Sequence, residues 1–458
     1  MKQKLIFFLL LFALDTFGQL PNTLTPADKV FGLSKFWQEV NYNFVYIDKI
    51  DRSKWDIIYK QLITTVQNTK SDYDYYRELQ KFCALLKDGH TNVFMPPLMA
   101  FGINSTLFGD YQLFIENIDD KAIIIRTNLS KKDEIPAGSE VIEVNGKKTS
   151  DYIDQEVAPY ISSSTDYVLK DISTANLLQG HMGDKYQIKI KRPLGDTITL
   201  NLTHGQIRET AVFPPFEKAR DLLEFRWIND KVAYIGLNSF DNPKIDSLFI
   251  KLLPTLYKAK GLIIDLRYNG GGSTGIGTEI LQYLTNDTIL FGARSSSRLH
   301  IPAFKAWGKT INPKDTINNE WAARALLSYQ DKLFSTLDYS PRIIKVQTRR
   351  IVIPTAVLIG HKTASSAEDF LIYADNQKHM IKIGENTFGS TGQPFVFNLP
   401  GGGSARICTK KDTYPDGREF VGHGIKPDIE IKRTLNDYLQ QKDPVLDKAI
   451  EYLHKILE

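Results

Sequence analysis

Lys362-Thr363-Ala364-Ser365-Ser366-Ala367-Glu368-Asp369-Phe370 joins a largely apolar run, Val352 to Gly360, to a second apolar stretch beginning near Ser366. The first run has the length and composition of a strand buried on both faces, and the second has helical length. The junction therefore predicts a strand over 352–360 turning into a helix over 366–376, the repeating unit of an α/β layer fold. A serine at such a turn lies beside unpaired backbone N–H groups at the positive end of a helix dipole. That setting suits a nucleophile whose attack creates an oxyanion. It also suits a simple cap, because Ser365 and Glu368 have capping-box spacing.

The same alternation extends over 225–432. Val232 to Leu237 reads as a strand, Ile245 to Tyr257 as a helix, Gly261 to Leu266 as a buried strand and Gly275 to Leu284 as a helix. Pro400-Gly401-Gly402-Gly403 opens a β-hairpin region that ends at Pro427-Asp428-Ile429-Glu430-Ile431, and an amphipathic helix over 443–456 closes the chain. Within this part, Leu262-Ile263-Ile264-Asp265-Leu266-Arg267-Tyr268-Asn269-Gly270-Gly271-Gly272 is a buried strand breaking into three glycines. Gly270, Gly272 and Gly275 formally satisfy the dinucleotide spacing GxGxxG. Against that use, the acidic residue expected about 20 positions on is absent, since Phe291 to Arg298 is rich in serine and arginine. The other uses of such a turn are backbone N–H donation to an oxyanion, for which glycine permits close approach, and a purely structural sharp bend.

Working towards the amino terminus, 105–205 reads as short strands. Pro136-Ala137-Gly138-Ser139 leads into Val141-Ile142-Glu143-Val144-Asn145-Gly146, a strand running into a tight Asn-Gly turn. This looks like the PDZ pattern, a module that captures peptides on a sheet edge. Residues 25–90 read as helical. Thr25-Pro26 is a cap followed by proline at the first helical position. The stripes Val30/Leu33/Trp37/Val40, Trp55/Ile58/Leu62/Val66 and Tyr76/Leu79/Phe82/Leu85/Leu86 are the inner faces of a small helical bundle. The third helix ends in Leu85-Leu86-Lys87-Asp88-Gly89-His90-Thr91-Asn92-Val93-Phe94, a turn carrying a histidine. Alone, it reads as a solvated or capping group; beside Ser365, a neutral imidazole would be the partner that takes the serine proton.

Composition removes other classes. The chain has 458 residues, 57 basic and 53 acidic, well interspersed, for a formal charge of +4. Neither nucleic acid nor an anionic membrane is implied as partner. Lys2 and Lys4 precede an apolar run, Leu5 to Leu14, too short to span a bilayer but suited to a secretory signal cleaved after Gly18. The mature protein is expected to be exported and soluble, with no integral membrane segment. Cys83 and Cys408 form neither a disulfide framework nor a metal motif, and the eight histidines lack metal-ligand spacing.

Together, the pieces resemble the tail-specific (carboxy-terminal processing) serine proteases, most closely their tricorn-like branch. "LLKDGHTNVF" at 85–94 is similar to that branch's histidine motif, and "GLIIDLRYNGGG" at 261–272 to the oxyanion strand. "TASSAEDF" at 363–370 is similar to the nucleophile motif, "IGENTFGSTGQ" at 383–393 to the segment after it, and "GHGIKPDIEI" at 422–431 to the ending. The resemblance implies a Clp protease/crotonase-like α/β catalytic core over 211–458. It also implies a PDZ-like β-rich domain over 91–210 and an N-terminal helical bundle over 20–90, which follow the signal peptide expected over 1–19. It implies a serine endopeptidase acting on peptides or unfolded protein segments, with no cofactor and no metal. Ser365 would be the nucleophile, His90 the general base, and the N–H groups of Ser366 and Gly271, with Gly270 adjacent, the oxyanion donors. Two departures stand out. A Ser–Lys pair would need lysine where this chain has Ser390, so His90 becomes necessary. The serine before the histidine and the glutamate near the ending fall here on Gly89 and Val421, which leaves Asp88 or Glu419 to orient His90. The alternative implied by these departures is a catalytically impaired peptide- or ligand-binding protein on the same fold.

Overall fold

The computed structural model of the protein describes residues 23–337 and 339–458; the expected signal segment lies outside them. Three helices open the described chain: α1 (Pro26–Asn43), α2 (Arg52–Gln67) and α3 (Asp72–Ala84). Each begins on a side chain that accepts from a first-turn amide, namely Thr25, Asp51 and Ser71, and Thr25 forms a full capping box with Asp28. Leu33, Val40, Trp55, Val66, Leu79 and Phe82 are buried as the stripes require, Phe36 is buried in place of the half-buried Trp37, and Trp55 stacks on Phe82 with ring centroids 3.8 Å apart. Leu85 is the exception at 48% exposed, because the helix ends before it.

These helices do not close a core by themselves. They share it with Phe397, Ala405, Ile407 and Cys408 from a hairpin of strands Pro394–Asn398 and Ser404–Cys408. The strand after His90, Asn92–Phe94, pairs antiparallel with Ser404–Cys408, setting Asn92 opposite Arg406. It therefore belongs with the carboxy-terminal hairpin and not with the β-rich middle of the chain.

That middle is one eight-stranded sheet whose main path runs Thr197–Thr203, Lys185–Lys191, Ser139–Val144, Lys121–Asn128, Tyr111–Ile118, Leu107–Phe108. Asn145 and Gly146 both adopt positive φ (50° and 77°), as the tight turn demands. Helix α4 (Asp166–Ala175) emerges from this region towards the rest of the molecule.

The last part is built on a six-stranded sheet in the order Leu223–Trp227, Val232–Leu237, Gly261–Asp265, Thr355–Ile359, Met380–Gly384, Ile429–Glu430, parallel after the first pair. Its central strands are buried along their whole length, which explains their continuous apolar sequence. Alternate residues feed two cores. Ile235, Ile264 and Val357 face α5 (Lys244–Leu256), α6 (Thr274–Leu281) and α7 (Ser366–Tyr373), whereas Tyr234, Ile263 and Ala356 face α8 (Pro444–Leu457). Strand ends at one edge of this layer carry the glycine turn after Asp265 and the serine turn after Ile359.

Candidate active site

The serine turn is held in a conformation that a side chain adopts only under constraint. Ser365 has φ 56° and ψ −121°, a left-handed geometry costing on the order of 1–3 kcal/mol for a residue with a Cβ. Thr363 fixes the approach. It is fully buried, its hydroxyl donates to the Leu266 carbonyl at 2.9 Å and accepts from Gly360 N–H at 3.1 Å, and its carbonyl accepts from Phe388 N–H at 2.9 Å. Glu368 fixes the exit, accepting from Ser365 N–H at 3.0 Å. The capping-box pair is thus in place, but the Glu368 amide bonds the Ser365 carbonyl at 2.7 Å, and the Ser365 hydroxyl makes no hydrogen bond among the described residues. Ser365 is half-buried and its side chain opens into a cleft.

Glu368 is buried within the protein and ties two loops together. Besides Ser365, it accepts from Gly389 N–H at 2.8 Å, from Ser390 N–H at 3.4 Å and from the Thr387 hydroxyl. Burial pushes its pKa up to about 8 against the pull of these donors. The 387–390 loop that it holds carries Ser390 to the imidazole, where Ser390 Oγ and His90 Nδ1 are 2.7 Å apart. Ser390 Oγ also donates to Asp88 Oδ1 at 3.3 Å, and Asp88 accepts from Thr91 Oγ1 at 2.6 Å and Ser164 Oγ at 3.3 Å. The histidine's polar support is therefore a relay from His90 through Ser390 to Asp88. Residue 89 could not supply that hydroxyl, because a Cβ on Gly89 would lie 2.6 Å from the Phe388 ring. Burial, with Arg406 and Lys410 nearby, lowers the His90 pKa to about 4, so the ring is neutral at neutral pH.

Glu419, the other residue expected to orient His90, lies elsewhere. It pairs with Lys411 at 2.5 Å on an exposed flank and does not line the cleft. The distance along the sequence between the ending motif and the histidine gave no hint of this.

The glycine turn packs directly against the serine turn. Gly271 has φ 102°, and a Cβ there would meet Ser365 Cβ at 2.8 Å and Ser366 N at 3.1 Å. Its own N–H, expected to face an oxyanion, is instead bonded to Asn269 Oδ1 at 2.9 Å. The N–H groups of Ser366 and Gly270 have no partner among the described residues. Asn269, to which its sequence motif assigns no role, is fully buried and acts as the clamp. Its amide donates to the Leu237 carbonyl at 2.9 Å, and its own carbonyl accepts from Ala364 N–H at 3.0 Å. An asparagine directly before a glycine run was the available signal, since Asn side chains hydrogen-bond backbone two residues on.

One cleft of 830 Å³ is lined by His90, Ser365, Gly270 and Gly271, with α4 of the β-rich region forming part of its wall. The structure thus brings together the histidine, serine and glycine pieces from three distant stretches of sequence. Among the described residues no cluster of three metal-ligating side chains exists.

Residues 231–431 match peptidase family S41. A carboxyl-terminal-processing protease of Picosynechococcus is 22% identical over 94% of this chain and 90% of its own length. The carboxy-terminal processing protease CtpA of Bacillus subtilis is 24% identical over 74% of this chain and 58% of that protein. Among solved structures, mature CPAF complexed with lactacystin superposes with a TM-score of 0.64 at 15% identity, over 94% of this chain and 97% of that one, which is a likeness of fold.

Proposed function

We propose that the chain, whose residues 231–431 match peptidase family S41, is a serine peptidase, an exported endopeptidase using Ser365 as nucleophile and His90 as general base. The observation that carries the reading is the common cleft, in which an unbonded, strained serine hydroxyl and a histidine anchored through Nδ1 face the same space.

In the ordering Nδ1–H to Ser390 Oγ and Ser390 O–H to Asp88, the Nε2 lone pair is left to accept a proton. His90 takes the Ser365 proton as Oγ bonds to the scissile carbonyl carbon. The carbonyl oxygen becomes an oxyanion beside the Ser366 and Gly270 N–H groups, with Gly271 joining only if its amide leaves Asn269. His90 then protonates the leaving amine, the C–N bond breaks, and water attacks the acyl-enzyme by the same route in reverse. Ser390 and Asp88 act as positioning residues, stabilising the imidazolium as it forms. The β-rich region serves as a PDZ-like module that presents peptide or unfolded substrate along α4. Export is supported by Lys2, Lys4 and the apolar run Leu5 to Leu14.

Labelling with a fluorophosphonate tests the reading. The protein should label and hydrolyse an unfolded protein such as casein, while Ser365→Ala does neither and melts within a few degrees of the parent. His90→Ala should lose turnover without unfolding. Substrate binding with no labelling of Ser365 would instead establish a binding protein on this fold.

A further inference from the structure

Arg406 lines the cleft on the histidine side, yet has no place in the proton relay. It sits on the Ser404–Cys408 strand opposite Asn92. Its Nε donates to Asn92 Oδ1 at 2.7 Å, its Nη2 lies 3.5 Å from the Gly89 carbonyl, and its guanidinium is 5.5 Å from the centre of the Phe94 ring. These contacts aim the group and leave it short of partners. The side chain is half-buried, and among the described residues Nη1 makes no hydrogen bond and no carboxylate lies within 4.0 Å, Asp88 acting on the guanidinium only from farther away. A partly desolvated guanidinium with neutral partners alone is costly, and a carboxylate offered in fork geometry is its natural complement.

The other charges at the cleft do not meet that need: Asp241 lines it but is exposed and forms no ion pair with Arg406 among the described residues. Asp88 divides its oxygens among Thr91, Ser164 and Ser390. Asp171, on the α4 wall, is held by His361 Nδ1 at 2.6 Å and by Asn117 Nδ2 at 2.7 Å. Lys362 adds a second, exposed cation in the cleft lining, without an ion-pair partner among the described residues.

We propose that Arg406 is a specificity-determining residue that binds a substrate carboxylate, selecting peptides with an anionic group near the scissile bond. The inference rests on the peptidase reading. A carboxylate reaches it from an acidic side chain or from the substrate's own carboxy terminus, and bidentate pairing with Arg406 would exclude water between the two groups.

The test uses oligo-alanine peptides in which Glu or its neutral isostere Gln occupies each position in turn, prepared both as free acids and as carboxy-terminal amides. The parent protein should cleave at least one carboxylate peptide with kcat/KM roughly tenfold or more above its neutral match, mainly through KM. A gain confined to Glu peptides identifies a side chain as the source, and a gain lost on amidation identifies the chain end. In Arg406→Gln the ratio should collapse towards one, and Arg406→Lys should restore part of it. Because the ratio compares two substrates on one enzyme, a general loss of turnover from disturbing Asn92 or Gly89 cancels. Binding of the same labelled peptides to Ser365→Ala, followed by fluorescence anisotropy, should show the same preference without any hydrolysis. Equal binding of carboxylate and neutral peptides there, or a preference that survives in Arg406→Gln, overturns the assignment. Failure of the parent to hydrolyse any peptide while that preference persists would count against the peptidase reading alone.

Discussion

Ser390 stands at the midpoint of the polar chain from Asp88 to the imidazole, so its hydroxyl fixes both the orientation and the tautomer of His90. Ser390→Ala removes that contact with little change of volume. Turnover is expected to fall by about 100-fold or more, with KM nearly constant, as when a histidine loses its orienting partner. Steady-state kinetics with casein-derived peptides checks this, and unchanged kcat would remove Ser390 from the mechanism. The same imidazole fixes the pH response. Burial and the cations Arg406 and Lys410 lower its pKa to about 4, and the base is active when deprotonated. The acidic limb of kcat/KM should therefore lie near pH 4, well below an ordinary histidine limb. Removing a cation eases protonation, so Arg406→Gln should move that limb upward; a downward move would contradict the assignment. From the sequence, Ser390 was legible only as a missing lysine. Its partnership with His90 depends on the 387–390 loop folding back onto a turn 300 residues earlier, which no local pattern encodes.

The two turns that build the site are elements whose geometry is set by space and not by propensity. Gly272 has φ 135°, and a Cβ there would lie 2.2 Å from both Phe240 C and Asp241 N, backbone atoms with nowhere to move. At Gly270, φ is ordinary and a Cβ would meet nothing within 4 Å. Gly272→Ala is thus expected to cost about 3 kcal/mol or more, whereas Gly270→Ala should change stability by under about 1 kcal/mol. Denaturant unfolding of the two variants side by side measures the contrast, and equal stabilities would show that the turn relaxes. The strands and helices flanking these turns were readable because burial on both faces leaves unbroken apolar runs, as at 262–264 and 356–359. Asn269 was not readable as a clamp. Its two side-chain bonds reach Leu237 and Gly271, and the first of these partners is adjacent only once the parallel sheet has formed.

At the scale of the molecule, the β-rich region is fastened to the site itself as well as to residues 435–439. Ser164 Oγ accepts from Gly89 N–H at 2.9 Å, beside His90. Thr165 Oγ1 donates to the Phe388 carbonyl at 3.3 Å, and Tyr167 Oη donates to the Thr387 carbonyl at 2.6 Å and lies 3.1 Å from the His423 carbonyl. Tyr167 also stacks on His361, whose Nδ1 bonds Asp171 further along α4. The segment entering α4 therefore grips both loops that carry the relay, and any displacement of that helix would loosen His90 and Ser390 together. Periodicity could reveal that three regions exist, but not that the first and last share a core or that the middle one braces the histidine, since all of these contacts join residues far apart in sequence. Tyr167→Phe isolates the brace, because it keeps the ring against His361 and deletes only the hydroxyl. Losing the hydrogen bond to the Thr387 carbonyl should cost about 1 kcal/mol of stability. More diagnostically, amide exchange over 387–390 should quicken and kcat should drop several-fold while peptide affinity, read on the Ser365→Ala background, stays within about twofold. If exchange in that loop and kcat both match the parent, the β-rich region only covers the cleft and does not hold its catalytic groups in register.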